Sequence, residues 1–422
     1  MNKRIAVSVG LVAVGASAVH AVASDAPKPW TASVGLRAVY DDNYTLANNN
    51  KQSSWGFAVD PAVSLNLPMD RTLVVGRYQY SYHWYADRDD RGLNTSDQSH
   101  QFTVDVTQTV SERLTGYVGD DFVVAQEPRL LDPNAQSYPG RANGNNIRNT
   151  GYIGLNAILT QLLTGSLNYN NTIVDYEEKG GSVAFPSRSG LLDRVAQSIS
   201  AQVGWQVSPT MTAYLGYNFD TTCYTGDEQI AVNPLTSQIY SSSVRNSYGH
   251  RGTVGVGYSA SEVLRAMATV GIQYTDFYND PASTSTTSPY ADVSVSYLLT
   301  QGSTASLGFT HSRNATDVVM PNTANGRVTH DQESSTLHGQ VVYQVTPLIT
   351  ATLVGSAQAS TFNDGVYNDK TDWLYFLEAN LSYTFMEHLK ATVGYQYDKV
   401  NSDIPGRGYD RNRFTIGLNA TY

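Results

Sequence analysis

Stretches of roughly ten residues that alternate apolar with small or polar side chains recur along this chain. Trp30, Ala32, Val34, Leu36, Ala38 and Tyr40 alternate with Thr31, Ser33, Gly35, Arg37 and Val39; Trp55, Phe57, Val59, Pro61, Val63, Leu65 and Leu67 alternate with Gly56, Ala58, Asp60, Ala62, Ser64 and Asn66. The pattern persists to Tyr375, Leu377, Ala379, Leu381, Tyr383 and Phe385, and to Phe414, Ile416, Leu418, Ala420 and Tyr422. Period two puts each set on one face of a strand, and here that face is apolar over its whole length. The connectors also alternate. Tight ones such as Ser111-Glu112-Arg113, Ser208-Pro209-Thr210 and Thr346-Pro347-Leu348 are interleaved with long polar ones at 41–54, 86–98, 126–147, 176–192, 224–246, 278–288, 314–333, 363–371 and 400–409. Short turns on one side and long loops on the other are the signature of transmembrane barrels.

The fold class expected is therefore all-β: an antiparallel up-and-down transmembrane barrel of about 18 strands, running from 30–40 to 410–422. The strand at 114–125 has poor parity, and 16 strands is the fallback if one hairpin is misread. An even count leaves both termini on the side of the short turns. Closure follows because hydrocarbon leaves no partner for a bare strand edge, so the last strand must pair with the first.

The start of the chain supports export. Met1 to Arg4 are basic, Ile5 to Val19 form an apolar run too short to span a bilayer, and Ala21-Val22-Ala23 gives a small-x-small cleavage pattern. Residues 1–23 read as a signal peptide and 24–422 as a single barrel domain. Removing 1–23 takes away Lys3 and Arg4 and no acid, so 25 basic residues remain against 37 acidic and the net charge moves from −10 to −12. That sign excludes nucleic acid as a partner bound through phosphate neutralisation. The single cysteine, Cys223, cannot form an internal disulfide and reads as a small side chain, buried or at the lumen edge. No mature segment has the roughly 18 consecutive apolar residues of a transmembrane helix. Twenty-nine tyrosines and 34 glycines suit strands with aromatic ends and thin places in the wall.

Parity assigns a lumen face of Ser, Thr, Asn, Gln and Gly with scattered charges. Arg37, Arg77, Arg194, Arg265 and Lys390 oppose Asp60, Asp105, Asp220, Asp292 and Glu378, either pairing across strands or grading which solutes pass. Most aromatics fall near strand ends as interfacial girdles. Tyr152 and Tyr214 are the few on the polar parity, where a sugar-stacking track would need them. The acidic knots Asp41-Asp42-Asn43 and Asp87-Arg88-Asp89-Asp90-Arg91 lack calcium-loop spacing, and the histidines lack ligand spacing, so no metal and no cofactor is expected. Gly252, Gly255 and Gly257 precede no helix and read as thin spots in a strand. His83 and His250 have Ser and Asp nearby in sequence, but no nucleophile motif accompanies them, and the chain is not read as an enzyme.

Two terminal segments carry a family resemblance. "YDDNYTL", Tyr40 to Leu46, resembles the opening of the β-barrel porin type 2 family of outer-membrane proteins, and "IPGRGYDRNRFTIGLNATY", Ile404 to Tyr422, is similar to that family's last hairpin, with "GYQYDKVNSD" before it. The family usually ends on Phe where this chain has Tyr422. The resemblance implies an outer-membrane location and, through the association of many members with exopolysaccharide systems, a polysaccharide connection; it transfers no binding residues.

The reading is a porin-like passive channel for small hydrophilic solutes, with a structural or export-accessory barrel for surface exopolysaccharide as the alternative. Expected partners are outer-membrane lipid and lipopolysaccharide, the barrel assembly machinery, and the solutes or polysaccharide, the barrel being either monomeric or a homo-oligomer such as a trimer. Phe414, Ile416, Leu418 and Tyr422 form the expected C-terminal assembly signal.

Overall fold

A computed structural model describes residues 28–88, 94–125, 145–181, 186–259, 261, 263–282 and 284–422. The expected signal at 1–23 lies outside the described residues.

Eighteen antiparallel strands form one sheet. They are β1 (Trp30–Asp41), β2 (Ser54–Pro68), β3 (Thr72–Tyr85), β4 (Ser96–Ser111), β5 (Leu114–Ala125), β6 (Asn146–Ile158), β7 (Leu163–Tyr176), β8 (Arg194–Ser208) and β9 (Met211–Tyr224). A two-stranded hairpin, β10 (Gln229–Val232) and β11 (Ile239–Ser241), interrupts the series. The wall resumes with β12 (Ser247–Ser259), β13 (Leu264–Asp276), β14 (Ser285–Thr300), β15 (Ser303–Ala315), β16 (Asp331–Thr346), β17 (Ile349–Asn363), β18 (Thr371–Met386), β19 (Leu389–Ser402) and β20 (Tyr409–Thr421). The expected count of 18 is met, and the expected strands match these within a few residues at each end.

The sheet closes on itself. β1 pairs with β20 from Ser33↔Thr421 to Asp41↔Arg413, and Ala32 and Tyr422 exchange backbone hydrogen bonds of 3.1 and 2.8 Å. Every wall strand thus has two neighbours, which is what hydrocarbon demands of a β-structure. Register shifts sit next to short turns, at Thr109/Ser111, Gln206/Ser208, Leu298/Thr300, Gln344/Thr346 and Thr384/Met386, where a bulge tightens the reversal. Proline marks weak points in the ladder. Between β2 and β3 the pairing lapses from Val59↔Tyr82 to Ala62↔Gln79 around Pro61, which has no N–H to donate.

Outward side chains are the apolar set: Trp55 is 63% exposed, Leu215 65% and Ile272 64%, surfaces that only lipid can cover at this density. β5 explains its irregular parity. Its outward set, with Val118, includes Asp120, whose carboxylate accepts from Asn149 Nδ2 at 2.9 Å, and Gln197 Nε2 donates to Asn171 at 3.3 Å farther along the same face. Cys223 differs from expectation. It shares the outward parity of Phe219, is half-buried, and its sulfur lies 3.5 Å from the Tyr278 hydroxyl.

Apolar burial is concentrated at the long-loop end. A short helix α1 (Arg188–Leu192), capped by the Ser187 hydroxyl, the β10–β11 hairpin and the segment 316–330 bring Leu191, Ile230, Ala231, Tyr240, Val244, Val319 and Val328 into one cluster. Val318, Phe362 and Ile404 form another with Tyr367 beside it, and Leu46, Leu374, Val400 and Tyr409 a third. The long loops, polar in overall composition, therefore build a cap with its own core. Gly365, at φ 73°, allows that packing because a Cβ there would run into Thr329 and the Met320 carbonyl.

Candidate functional site in the lumen and its cap

The inner face follows from the register, since residues opposite one another across a ladder share a face. Arg37 and Asp60 meet at 2.7 Å, and Arg37 Nη2 lies 3.3 Å from His83 Nε2. Arg77 donates to Gln79 at 2.7 Å, Asp292 accepts from Thr310 at 3.2 Å, and Glu378 accepts from Asn380 at 2.6 Å. Asp105 accepts the Tyr152 hydroxyl, and its neighbour Asp121 accepts from Gln101 at 3.3 Å. Arg265 stands opposite Ser259 and Ser296, and Lys390 opposite Thr384 and Asn419, at the short-turn end. Arg194 is different: it is buried at the cap end and donates to the Leu192 carbonyl at 3.0 Å. Among these sequence-predicted charges Arg37 and Asp60 form a direct ion pair with each other, while Arg77, Asp105, Asp220, Asp292, Glu378 and Arg194 engage amides, hydroxyls or backbone. A mixed, hydrogen-bonded lining keeps water in a barrel this wide.

His83 and His250 are not brought together. His83 shares the inner face with Arg37, whereas His250 has the outward parity of Val254 and a 2.7 Å contact with the Tyr217 hydroxyl.

The cap holds ionic contacts that sequence reasoning missed. Arg407 donates two bonds to Asp317, at 2.9 and 2.7 Å, and one to Asp372 at 2.6 Å, joining three segments in a site where Asp372 is fully buried. Arg245 donates to the carbonyls of Thr316 at 2.9 Å and Leu191 at 2.7 Å, with its guanidinium 4.1 Å from the Tyr224 ring centre. Buried His330 lies between Asp280, at 3.3 Å, and Asp364, at 3.6 Å, with the Phe277 ring at 4.7 Å. Burial opposes charging the imidazole, but the two carboxylates outweigh it and raise its pKa. Burial likewise pushes Asp280 up, yet bonds from His330, Thr284 and the Ala282 N–H hold it down at about 2. A signal existed for part of this: the apolar runs Gln229-Ile230-Ala231-Val232 and Asp317-Val318-Val319-Met320 stand out in otherwise polar loops.

The two motifs at the ends of the chain meet across the β1–β20 seam. Arg411 faces Asp398 at 3.1 Å and Asp41 at 3.8 Å, all three buried. Asn412 donates through its backbone and its side chain to Asp42, both at 2.7 Å, and Asn43 donates to the Asp410 carbonyl at 2.8 Å. The first acidic knot thus spends its oxygens on closure. In the second, Arg88 pairs with Asp97 at 2.6 Å over the Tyr85 ring, and 89–93 lie outside the described residues.

These paired motifs agree with the outcome of comparison: the family model described as "Putative beta-barrel porin 2" matches residues 30–422. The chain belongs to that family. It is a porin-family barrel of the outer membrane. Solved structures similar to it include Pseudomonas aeruginosa OpdK with vanillate, at 9% identity and TM-score 0.48 over 93% of this chain and 99% of that one. A BenF-like porin from Pseudomonas fluorescens Pf-5 is similar at 11% identity and TM-score 0.47, over 93% and 99%. Pseudomonas aeruginosa OccK9 (OpdG) gives 11% and 0.47, over 93% and 98%. No curated protein matches the sequence.

Proposed function

We propose that this porin-family barrel is a passive channel for small hydrophilic solutes, with Arg37, Asp60, Arg77, Asp105, Arg265, Asp292, Glu378 and Lys390 lining its water path and Arg194 helping to seat the cap. The observation that carries the reading is the inner face, where charged, amide and hydroxyl side chains recur on strand after strand around a closed wall while the outer face is predominantly apolar. Such a lining lets solutes keep most of their hydration. The loop cap narrows entry at the outer mouth and is the gate in this reading. Planar-bilayer recordings of refolded protein test it: discrete conductance steps in salt are expected, and a silent membrane containing folded barrel refutes it.

Three further assignments accompany the channel reading. The export signal at 1–23 is removed on export. Phe414, Ile416, Leu418 and Tyr422, 50 to 65% exposed on the outward face, serve the assembly machinery as a recognition strand. The outward Asp120–Asn149 and Asn171–Gln197 pairs are covered by a further copy of the chain, because a carboxylate facing hydrocarbon is costly. The polysaccharide-export alternative draws no support from a family description that names a porin.

A further inference from the structure

Three tyrosines on the inner face lean along the wall over glycines of neighbouring strands. Tyr152, on β6, reaches across Gly119 on β5 to give its hydroxyl to Asp105 on β4. Tyr117, on β5, reaches the other way across Gly154 on β6 to Asn168 on β7. Neighbouring strands are about 4.8 Å apart, so a phenol that bonds to the second strand over must lie along the wall, not project into the lumen. In both cases a Cβ on the intervening glycine would collide with the ring. Tyr214, on β9, is held the same way from both sides. A Cβ at Gly204 on β8 would meet its Cε1 at 3.0 Å, and one at Gly257 on β12 its Cε2 at 2.9 Å. Each ring therefore runs along the wall on its lumen side, with the Tyr117 and Tyr152 planes inclined at 56° to one another.

Resting on the channel reading above, we infer that these rings are stacking platforms for neutral saccharides passing through the barrel. A pyranose offers a C–H face that packs on an aromatic ring and a rim of hydroxyls that need polar partners. Around the rings stand such partners, Asp105 and Asn168 among them, with Asp121 near Asp105. The carboxylates disfavour anionic solutes that could otherwise stack, so an aromatic acid fits this wall poorly. The glycines at 119, 154, 204 and 257 have a role here that strand geometry alone does not give them: each leaves the space in which a ring can lie down.

The test uses full-length refolded protein and maltotriose or cellotriose as probes, with benzoate as the anionic aromatic comparison. Two readouts run in parallel: sugar-induced interruptions of ion current in planar bilayers, and saturation-transfer NMR of the folded barrel in detergent. Saturable binding of a trisaccharide is expected, with Tyr214→Ala and Tyr152→Ala each raising the half-saturating concentration about fivefold, and Tyr152→Phe, which keeps the ring, within about twofold of the parent. Heat-modifiable gel mobility checks that each variant is folded, and Tyr214→Phe supplies a second ring-preserving variant if Tyr214→Ala fails to fold. Current without any trisaccharide binding overturns the saccharide site and leaves the channel; NMR binding without current overturns the channel and leaves the site. Tighter binding of benzoate than of either sugar, or alanine variants that bind as the parent does, also overturns it.

Discussion

Replacing Arg407 by methionine keeps the reach of the side chain and removes its charge. In the folded protein the guanidinium makes two bonds to Asp317 and one to Asp372, whose side chain has no exposure. Because the cluster is about a tenth exposed or less at Arg407 and Asp372, solvent screening discounts little of the loss. Removing one partner of a buried ionic cluster typically costs about 3–5 kcal/mol, since the remaining carboxylate stays buried without compensation. The wall ladders of β18 to β20 do not depend on that contact, so the cost falls on the cap. At roughly 1.4 kcal/mol per tenfold, the lower figure raises the population of locally open cap about 100-fold. Hydrogen-exchange mass spectrometry should show faster exchange by about that factor in 316–330 and 403–408, with the ladder amides of β4 to β8 unchanged. Partial recovery is expected for Arg407→Lys. Exchange in 316–330 within about threefold of the parent would mean that the cap is held by its apolar clusters and that the ionic contact is incidental.

Three other outcomes follow from contacts already described. His330, with a raised pKa, stabilises the cap fully below about pH 6.5 and loses that contribution as pH climbs through its folded value; Asp280 keeps its part above its ordinary 3.8 and loses it only as pH falls through about 2. Cap exchange and channel noise should therefore rise on the alkaline side, with Asp364, Arg327, Asp331 and Arg313 as the other charges around the site, and His330→Ala should flatten the profile; equal rates from about pH 6 to 9 in the parent would contradict it. Deleting Tyr422, or changing it to Asp, should lower the amount of barrel in the membrane more than it changes conductance per channel, as read by quantitative blotting beside single-channel recording; normal membrane levels oppose the assembly role. Asp120→Leu should weaken self-association in mild detergent, measured by light scattering, and an unchanged mass or a parent that is monomeric throughout argues against a copy on that face.

The wall was legible because the membrane imposes it. A strand with lipid on one side and water on the other must alternate, and from Trp30–Tyr40 to Phe414–Tyr422 it does. β5 was hard to read for a specific reason, an outward Asp120 and an inward Tyr117 that invert the usual face chemistry. Tyr152 and Tyr214 could be flagged by parity, but their partner Tyr117 could not, and the glycines beneath them gain meaning only from cross-strand register. The cap was illegible because its pairs join distant segments: Arg407 with Asp317, Arg245 with Thr316, His330 with Asp280. Likewise "YDDN" and "GRGYDRN" were recognisable as motifs, yet nothing in either says that it exists to meet the other.

That meeting has a consequence for how the protein is made. Asp42 and Asn412 are 370 residues apart in the chain, and Asp41 with Arg411 is separated as widely. The polar clasp therefore cannot form until the last strand has arrived, and until then β1 keeps a bare edge. A chain cut short before β20 lacks the clasp and the seal together, so β1 keeps its bare edge unless the chain reaches its last strand.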